Sequence, residues 1–249
     1  MPDITLLDIA DDAPVATLTL NQPEIRNPTS IASLDAIDAA LDRVPESVRA
    51  LIVTGAGRAF CAGLDLSEVQ AGDETVHRLL RRLSEVMRRL RRLPIATIAQ
   101  VNGAAIGGGF GFMVATDFAI THSEAKIGYP PLETCLSPAL MAPWLIRTIG
   151  PSRARTMLLT GGTISGEAAF DAGIATHLVH RDELGATANE LARELVTGSA
   201  YAMQRIKTLL NELDGSDEDA SLDAAALVSA EVIADAETQR RLRAMFGER

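Results

Sequence analysis

Two glycine-containing segments carry the most chemical information in this chain. The first is Phe60-Cys61-Ala62-Gly63-Leu64-Asp65-Leu66. The second is Val101-Asn102-Gly103-Ala104-Ala105-Ile106-Gly107-Gly108-Gly109-Phe110-Gly111. Glycine permits tight turns that a side chain would obstruct, so a glycine loop can aim a backbone N–H inward. Where a strand ends and a helix begins, free amides and the helix dipole both favour an anion. Two such loops can hold negative charge developing on a carbonyl oxygen without any ionisable side chain. The alternative is that the glycines only allow a turn and a close helix–strand contact.

Other reactive residue types are less organised. Cys61 has apolar neighbours and no basic partner in sequence, the pattern of a small buried cysteine. Cys61 and Cys135 have neither metal-ligand spacing nor a disulfide pattern, and His77, His122, His177 and His180 form no metal spacing. No Gly-x-Ser-x-Gly elbow occurs, which argues against a serine hydrolase. The arginines at 81, 82, 88, 89, 91 and 92 read as the solvated face of a helix.

The elements that must position these loops follow from periodicity. Alternation over Ile4 to Ile9 and Val15 to Leu20, around Asp11-Asp12-Ala13-Pro14, predicts two strands joined by a turn. Ser30 is an N-cap for a helix whose inner face is Ile31, Leu34, Ile37 and Leu41. Ala50 to Thr54 and Ile95 to Val101 read as buried strands, and Asp117 to Thr121 as another. Thr75 to Leu93 is an amphipathic helix with Leu79, Leu80, Leu83, Val86, Met87 and Leu90 inward. A helix starts near Gly107. After Pro138 helices dominate, with a short strand at 176–180, a helix near 183–195 and two or three helices from Ala200 to Phe246. Strands alternating with helices predict an α/β fold with parallel sheet.

Composition narrows the function classes. The 249 residues are 47% hydrophobic, enough for one full core or a core with an appendage. A net charge of −10 argues against nucleic acid as partner. No apolar run reaches the roughly 18 residues of a membrane span, and Met1-Pro2-Asp3-Ile4 does not open a signal peptide. The expectation is a cytoplasmic protein. Lys126 and Lys207 are the only lysines, so any phosphate contact must rest on arginine or backbone N–H groups.

Five segments, in order, resemble the enoyl-CoA hydratase/isomerase (crotonase) family over nearly the whole chain. They are Leu20-Asn21-Gln22-Pro23-Glu24-Ile25-Arg26-Asn27, Thr54 through Leu66, Val101 through Gly109, Ile127-Gly128-Tyr129-Pro130, and Gly161 to Gly173. The resemblance implies a spiral core of β-β-α turns over residues 1–197. It also implies a helical region, 198–249, that builds a homotrimer or homohexamer. The implied ligand is an acyl-CoA thioester, with coenzyme A as part of the substrate and no separate cofactor or metal. The oxyanion donors become the N–H groups of Leu64 and Gly108. Ala62, Asp65 and Leu66 fall where coenzyme A binds, and Arg26 where a basic residue meets its phosphates; an ordinary solvated charge is the alternative for Arg26, and a loop-holding role the alternative for Asp65. Ala104, Ala105 and Ala139 could open an acyl pocket, and Phe112 or Trp144 could close one.

The departure from the family pattern concerns proton transfer. Hydratases of the family activate water between two glutamates. Here those positions hold Gly111 and Pro131, and neither residue can move a proton. Glu133, two residues further on, is the candidate catalytic carboxylate if a Pro130-Pro131 turn reshapes the loop; otherwise it opens a helix and faces solvent. Tyr129 can donate a hydrogen bond but is a poor base near neutral pH. The chain therefore reads as an acyl-CoA-processing enzyme that stabilises a thioester enolate. The alternatives are a non-catalytic acyl-CoA-binding paralogue, or another reaction on the same fold such as decarboxylation or thioester hydrolysis.

Overall fold

The computed structural model describes residues 3–131 and 136–247. Strands β1 (Thr5–Ile9) and β2 (Val15–Leu20) form the expected antiparallel hairpin, with Thr5 opposite Leu20. Ser30 caps helix α1 (Ile31–Asp42): its hydroxyl accepts from Ser33 N, and Ser33 Oγ accepts from Ser30 N. Next come β3 (Ala50–Gly55), β4 (Ala59–Cys61), the single turn α2 (Leu66–Val69) and the long α3 (Asp73–Arg92). The apolar stripe of α3, from Leu79 to Leu90, is buried as its period demands.

A repeating unit then becomes visible. Strands β5 (Ala96–Gln100) and β6 (Ala104–Ile106) lead into α4 (Gly108–Ala115). Strands β7 (Phe118–Thr121) and β8 (Lys126–Pro131) lead towards α5 (Ala142–Thr160). In each repeat the first strand joins one sheet and the second joins another. The larger sheet has the order β1-β2-β3-β5-β7-β10, where β10 is His177–Leu178; the smaller has the order β4-β6-β8-β9, where β9 is Gly161–Ser165. Apart from β1 and β9, which pair antiparallel, the ladders are parallel. This is the β-β-α spiral. The chain ends in α6 (Gly166–Asp171), α7 (Leu184–Leu195), α8 (Ala200–Asp214), α9 (Asp219–Ala234) and α10 (Ala236–Phe246).

Alternate residues of the larger sheet serve two packing layers. Val15, Ile52, Ile98 and Ile120 meet Leu184, Ala188 and Ala192 of α7, while Leu18, Leu51, Val53 and Ala99 join the main core with α1 and α3. Helix α5 is broken at the Gly150-Pro151 pair, where Gly150 has φ 77°. Three sequence expectations need correction. The smaller sheet was not anticipated, because two of its strands, β4 and β6, are three residues long and too short to show a period. Pro130 and Pro131 extend β8 and do not form a turn. Five of the six arginines expected on a solvated face, at 82, 88, 89, 91 and 92, do not form one; Arg81 alone is exposed as expected.

Those arginines are ion-paired on both flanks. Arg82 meets Asp35, Asp38 and Glu85, and Arg89 meets Asp38 and Asp42, tying α3 to α1. Arg88 and Arg92 meet Asp219, Arg88 also meets Asp223, and Arg91 meets Asp214, tying α3 to the C-terminal helices. Burial works to raise the Asp38 pKa, but hydrogen bonds from Arg89 and Arg82 outweigh it and the net direction is down.

A second latch holds α8. Lys207 Nζ donates to Asp117 Oδ2 at 2.6 Å and to Ile95 O at 2.8 Å, with the lysine side chain 7% exposed. Burial, with a smaller push from Arg91, pulls the Lys207 pKa down against the opposing hold of Asp117, and the net direction is down. Asp117→Asn strands that ammonium, and removing one partner of a buried pair costs about 3–5 kcal/mol. The expected outcome is a lower thermal midpoint, partly restored by adding Lys207→Met. Without its carboxylate, folded Lys207 gives up its proton more readily than the unfolded chain does. The deficit therefore narrows as pH rises toward about 10. Thermal melts across that range check both the loss and its sign.

Candidate active site

The first glycine loop is held by residues upstream of it. Asn27 is 2% exposed and adopts φ 54°. Its Nδ2 donates to the carbonyls of Ala56, Ala59 and Phe60 at 2.9–3.2 Å, and its Oδ1 accepts from Gln22 N. Thr29 then runs beside the loop: Thr29 N donates to Gly63 O at 2.7 Å, and Asp65 N donates to Thr29 O at 2.8 Å. These bonds bracket Leu64 and leave its N–H with no acceptor among the described residues. Gly63 takes φ 107°, a turn that suits glycine.

The second loop meets the first backbone to backbone. Gly107 has φ 54° and ψ −112°, and a Cβ there would lie 3.5 Å from Gly63 Cα. Gly107 N donates to Gly128 O at 2.9 Å, and Gly111 N returns to Gly107 O, starting α4. The N–H of Gly108, first residue of α4, has no acceptor among the described residues, as helix geometry dictates for the first turn. The following positions leave no space for side chains. A Cβ on Gly108 would lie 2.4 Å from Thr29 Oγ1, and one on Gly109 would lie 2.4 Å from Cys61 O.

Both loops open onto one cavity of about 210 Å³, lined by Ala62, Gly63, Leu64 and Leu66 from the first and by Gly107 and Gly108 from the second. Leu80, Leu83, Leu140, Met141, Ile233 and Phe246 supply apolar walls, so α9 and α10 help to close the pocket. Among the described residues no carboxylate, imidazole or amine lines it. The nearest titratable group is Tyr129, whose ring packs edge-on against Phe110 at 5.2 Å. Burial pushes its hydroxyl pKa up, so it stays a neutral donor. Position 111 is packed shut: a Cβ on Gly111 would lie 2.6 Å from Met141 Cε and 2.8 Å from Met87 Sδ. Thioethers occupy the room a carboxylate at this position would need.

The structure thus brings Leu64, Gly108, Ala62 and Leu66 together. Asp65 does not line the pocket; its carboxylate accepts from Ser67 N at 2.8 Å and Ser67 Oγ at 2.6 Å, capping α2. Arg26 is exposed, with φ 64°, and its carbonyl accepts from Ala62 N. Glu133 lies outside the described residues. Phe112 and Trp144 are buried but do not line this pocket, and neither do Ala104, Ala105 or Ala139. Cys61 is the buried residue its neighbours suggested: its Sγ lies 3.3 Å from Thr29 Oγ1, and burial raises its pKa. Sequence reading gave Met87 a core position only, and gave Asn27, Thr29 and Met141 no task at the site. Asn27 lies 29–33 residues ahead of the carbonyls it holds, so no local signal marks that role, and the helix period marks Met87 only as core.

The glycine contacts rank two substitutions. Gly109→Ala drives a methyl into the Cys61 backbone, which cannot yield. Gly111→Ala meets only the ends of flexible methionines, an overpacking of about 1–3 kcal/mol. Thermal denaturation should show the larger loss for Gly109→Ala. Equal midpoints would contradict the packing described.

Comparisons with known proteins agree with this architecture. The family profile for enoyl-CoA hydratase/isomerase matches residues 10–249. A short-chain-enoyl-CoA hydratase of Clostridium acetobutylicum is 31% identical over 84% of this chain and 82% of its own length. A 1,2-epoxyphenylacetyl-CoA isomerase of Escherichia coli is 32% identical over 84% and 83%. The crystal structure of an enoyl-CoA hydratase/isomerase from Xanthobacter autotrophicus superposes with a TM-score of 0.86 at 26% identity, covering 98% of this chain and 94% of that one. The human mitochondrial delta3-delta2-enoyl-CoA isomerase shares the fold, with a TM-score of 0.88 over 97% of this chain and 96% of its own at 22% identity. The chain belongs to the enoyl-CoA hydratase/isomerase family.

Proposed function

We propose that the protein processes an acyl-CoA thioester by holding its carbonyl oxygen between the N–H groups of Leu64 and Gly108. The observation that carries this reading is the pair of unpartnered amides brought to one apolar pocket by the Gly63–Gly107 contact. Charge that collects on the oxygen as the thioester enolises is stabilised by donors already in place, and loss of one such donor typically costs about 2.7–4 kcal/mol of barrier. The apolar walls would take the acyl chain and strengthen those bonds by excluding water. Ala62 and Leu66 flank Leu64 where the pantetheine would leave the pocket. Arg26 and Asp65 are assigned to the coenzyme A side of the same loop.

Proton transfer is assigned to Glu133, the nearest carboxylate in sequence to the position held by Pro131. This makes the chain a lyase of the hydratase type. A second reading is favoured by the lining itself, which holds no described acid or base: a carrier of acyl-CoA, or an enzyme for decarboxylation or thioester hydrolysis. The same family reading makes the protein a homotrimer or homohexamer. Tyr201, Ile206, Leu209, Leu210 and Leu213, exposed on α8, support a subunit contact there.

The test is hydration of crotonyl-CoA and of a longer trans-2-enoyl-CoA, followed by loss of absorbance of the conjugated thioester. The expected result is turnover that falls by about 10²–10⁴-fold in Glu133→Gln. Turnover unaffected by that change would move the proton-transfer role elsewhere. No turnover, in protein that binds acyl-CoA, would reject hydration of these substrates. A product screen with malonyl-type and saturated acyl-CoAs would then separate carrier from decarboxylase or hydrolase.

A further inference from the structure

Three of the first four residues of α4 are glycines, and each is covered by a different neighbour. A Cβ on Gly108 would strike Thr29, and one on Gly109 would strike Cys61. A Cβ on Gly111 would lie 2.6 Å from Met141 Cε, 3.1 Å from Met141 Sδ and 2.8 Å from Met87 Sδ. Of these covering residues, Met141 alone also lines the acyl pocket. It therefore joins the pocket to the recess above Gly111.

The segment that carries Met141 is fixed. Leu140 N donates to Ser229 Oγ of α9 at 2.7 Å, and Met141 N donates to Pro138 O at 2.9 Å. Ser229 is fully buried, so this anchor lies in the core. What can move is the Met141 side chain, which is unbranched and adapts its shape to its neighbours. Its retreat from the pocket is blocked as well. Met87 is fully buried, and its Sδ already stands over the same point of Gly111. The Met141 thioether is thus held between Met87 and the pocket.

Helix geometry relates this wall to a bound acyl group. Residues three apart share a helix face at about 5–6 Å, so the recess above Gly111 lies one turn from Gly108. On the acyl-CoA reading, on which this inference rests, the Gly108 N–H takes the carbonyl oxygen. A wall one turn away then meets the second and third carbons of the acyl group. A straight chain passes that wall. A methyl branch at either carbon drives the Met141 tip against Met87, in a core that is already filled. We infer that Met141 is the specificity-determining residue of the acyl pocket, and that it selects acyl groups unbranched at their second and third carbons.

The experiment compares saturated thioesters of equal carbon count, which offer no double bond to hydrate. Butanoyl-CoA is paired with 2-methylpropanoyl-CoA, and pentanoyl-CoA with 3-methylbutanoyl-CoA. Each is titrated into the whole protein by calorimetry, and the thioester is confirmed intact afterwards. Wild type should bind each straight isomer about tenfold or more tightly than its branched partner, the value of one misplaced methyl in an apolar pocket. Met141→Ala empties the recess, and the preference should collapse toward parity. Met141→Leu keeps the volume and should keep the preference. Met141→Val removes only the thioether tip, so it carries the test if Met141→Ala fails to fold; it should reduce the preference part of the way. The readout is the ratio within each pair, because a merely structural loss weakens both isomers alike. Equal affinities for the two isomers in wild type overturn the inference and leave the acyl-CoA reading standing. A preference that survives both Met141→Ala and Met141→Val assigns selection to another wall and overturns it equally. Failure of all four thioesters to bind overturns the acyl-CoA reading, and this inference with it.

Discussion

The contact between Gly63 and Gly107 is the constraint on which the acyl site depends. Two chain segments some forty residues apart in sequence touch through bare backbone, and the amides that follow them, Leu64 and Gly108, come to one pocket. The contact is possible because β4 and β6 lie side by side in the smaller sheet, with Cys61 opposite Ala105. Each strand then turns within two residues. What demands glycine at both positions is the backbone, with φ 107° at Gly63 and 54° at Gly107, since a Cβ would meet only ordinary van der Waals contacts, 3.4 Å from Ile106 O and 3.5 Å from Gly63 Cα.

The described polar residues that brace the two loops hold backbone, and none of them is placed to react. Asn27 spends its amide on three carbonyls of the first loop. Thr29 brackets Leu64, Asp65 caps α2, and Glu68 accepts from Ile31 N, with burial raising its pKa. Preorganised dipoles in an apolar chamber stabilise charge without reorganising at the moment of reaction. On the proposed reading, electrostatic stabilisation rests on the two loops and proton transfer on Glu133, so the two tasks fall to different parts of the chain.

The legible part of the fold was the part with long periods. The stripe of α3, the cap at Ser30, the hairpin at β1–β2 and the Gly150-Pro151 break all follow from local rules. The smaller sheet was illegible because Ala59–Cys61 and Ala104–Ile106 are three residues long and flanked by glycine. The glycine motifs showed that two amides would converge, but not which atoms exclude side chains. Thr29, Cys61, Met87 and Met141 act across distances of thirty or more residues, or from helices whose own pattern marks them only as core. The α3 arginines illustrate the same limit. A charged helix face looks solvated until the acidic residues of α1 and of the C-terminal helices are folded against it.

The most direct test of a two-amide oxyanion hole is the infrared stretch of a bound thioester carbonyl. Isotope editing with a ¹³C-labelled, non-reactive acyl-CoA separates that band from the protein background and requires no turnover. Hydrogen bonds from Leu64 and Gly108 polarise the C=O bond, so its stretch should fall below the value of the same ligand in water. A bound ligand whose carbonyl band sits at or above its aqueous frequency would show that the two N–H groups do not hold the oxygen, and would contradict the central claim.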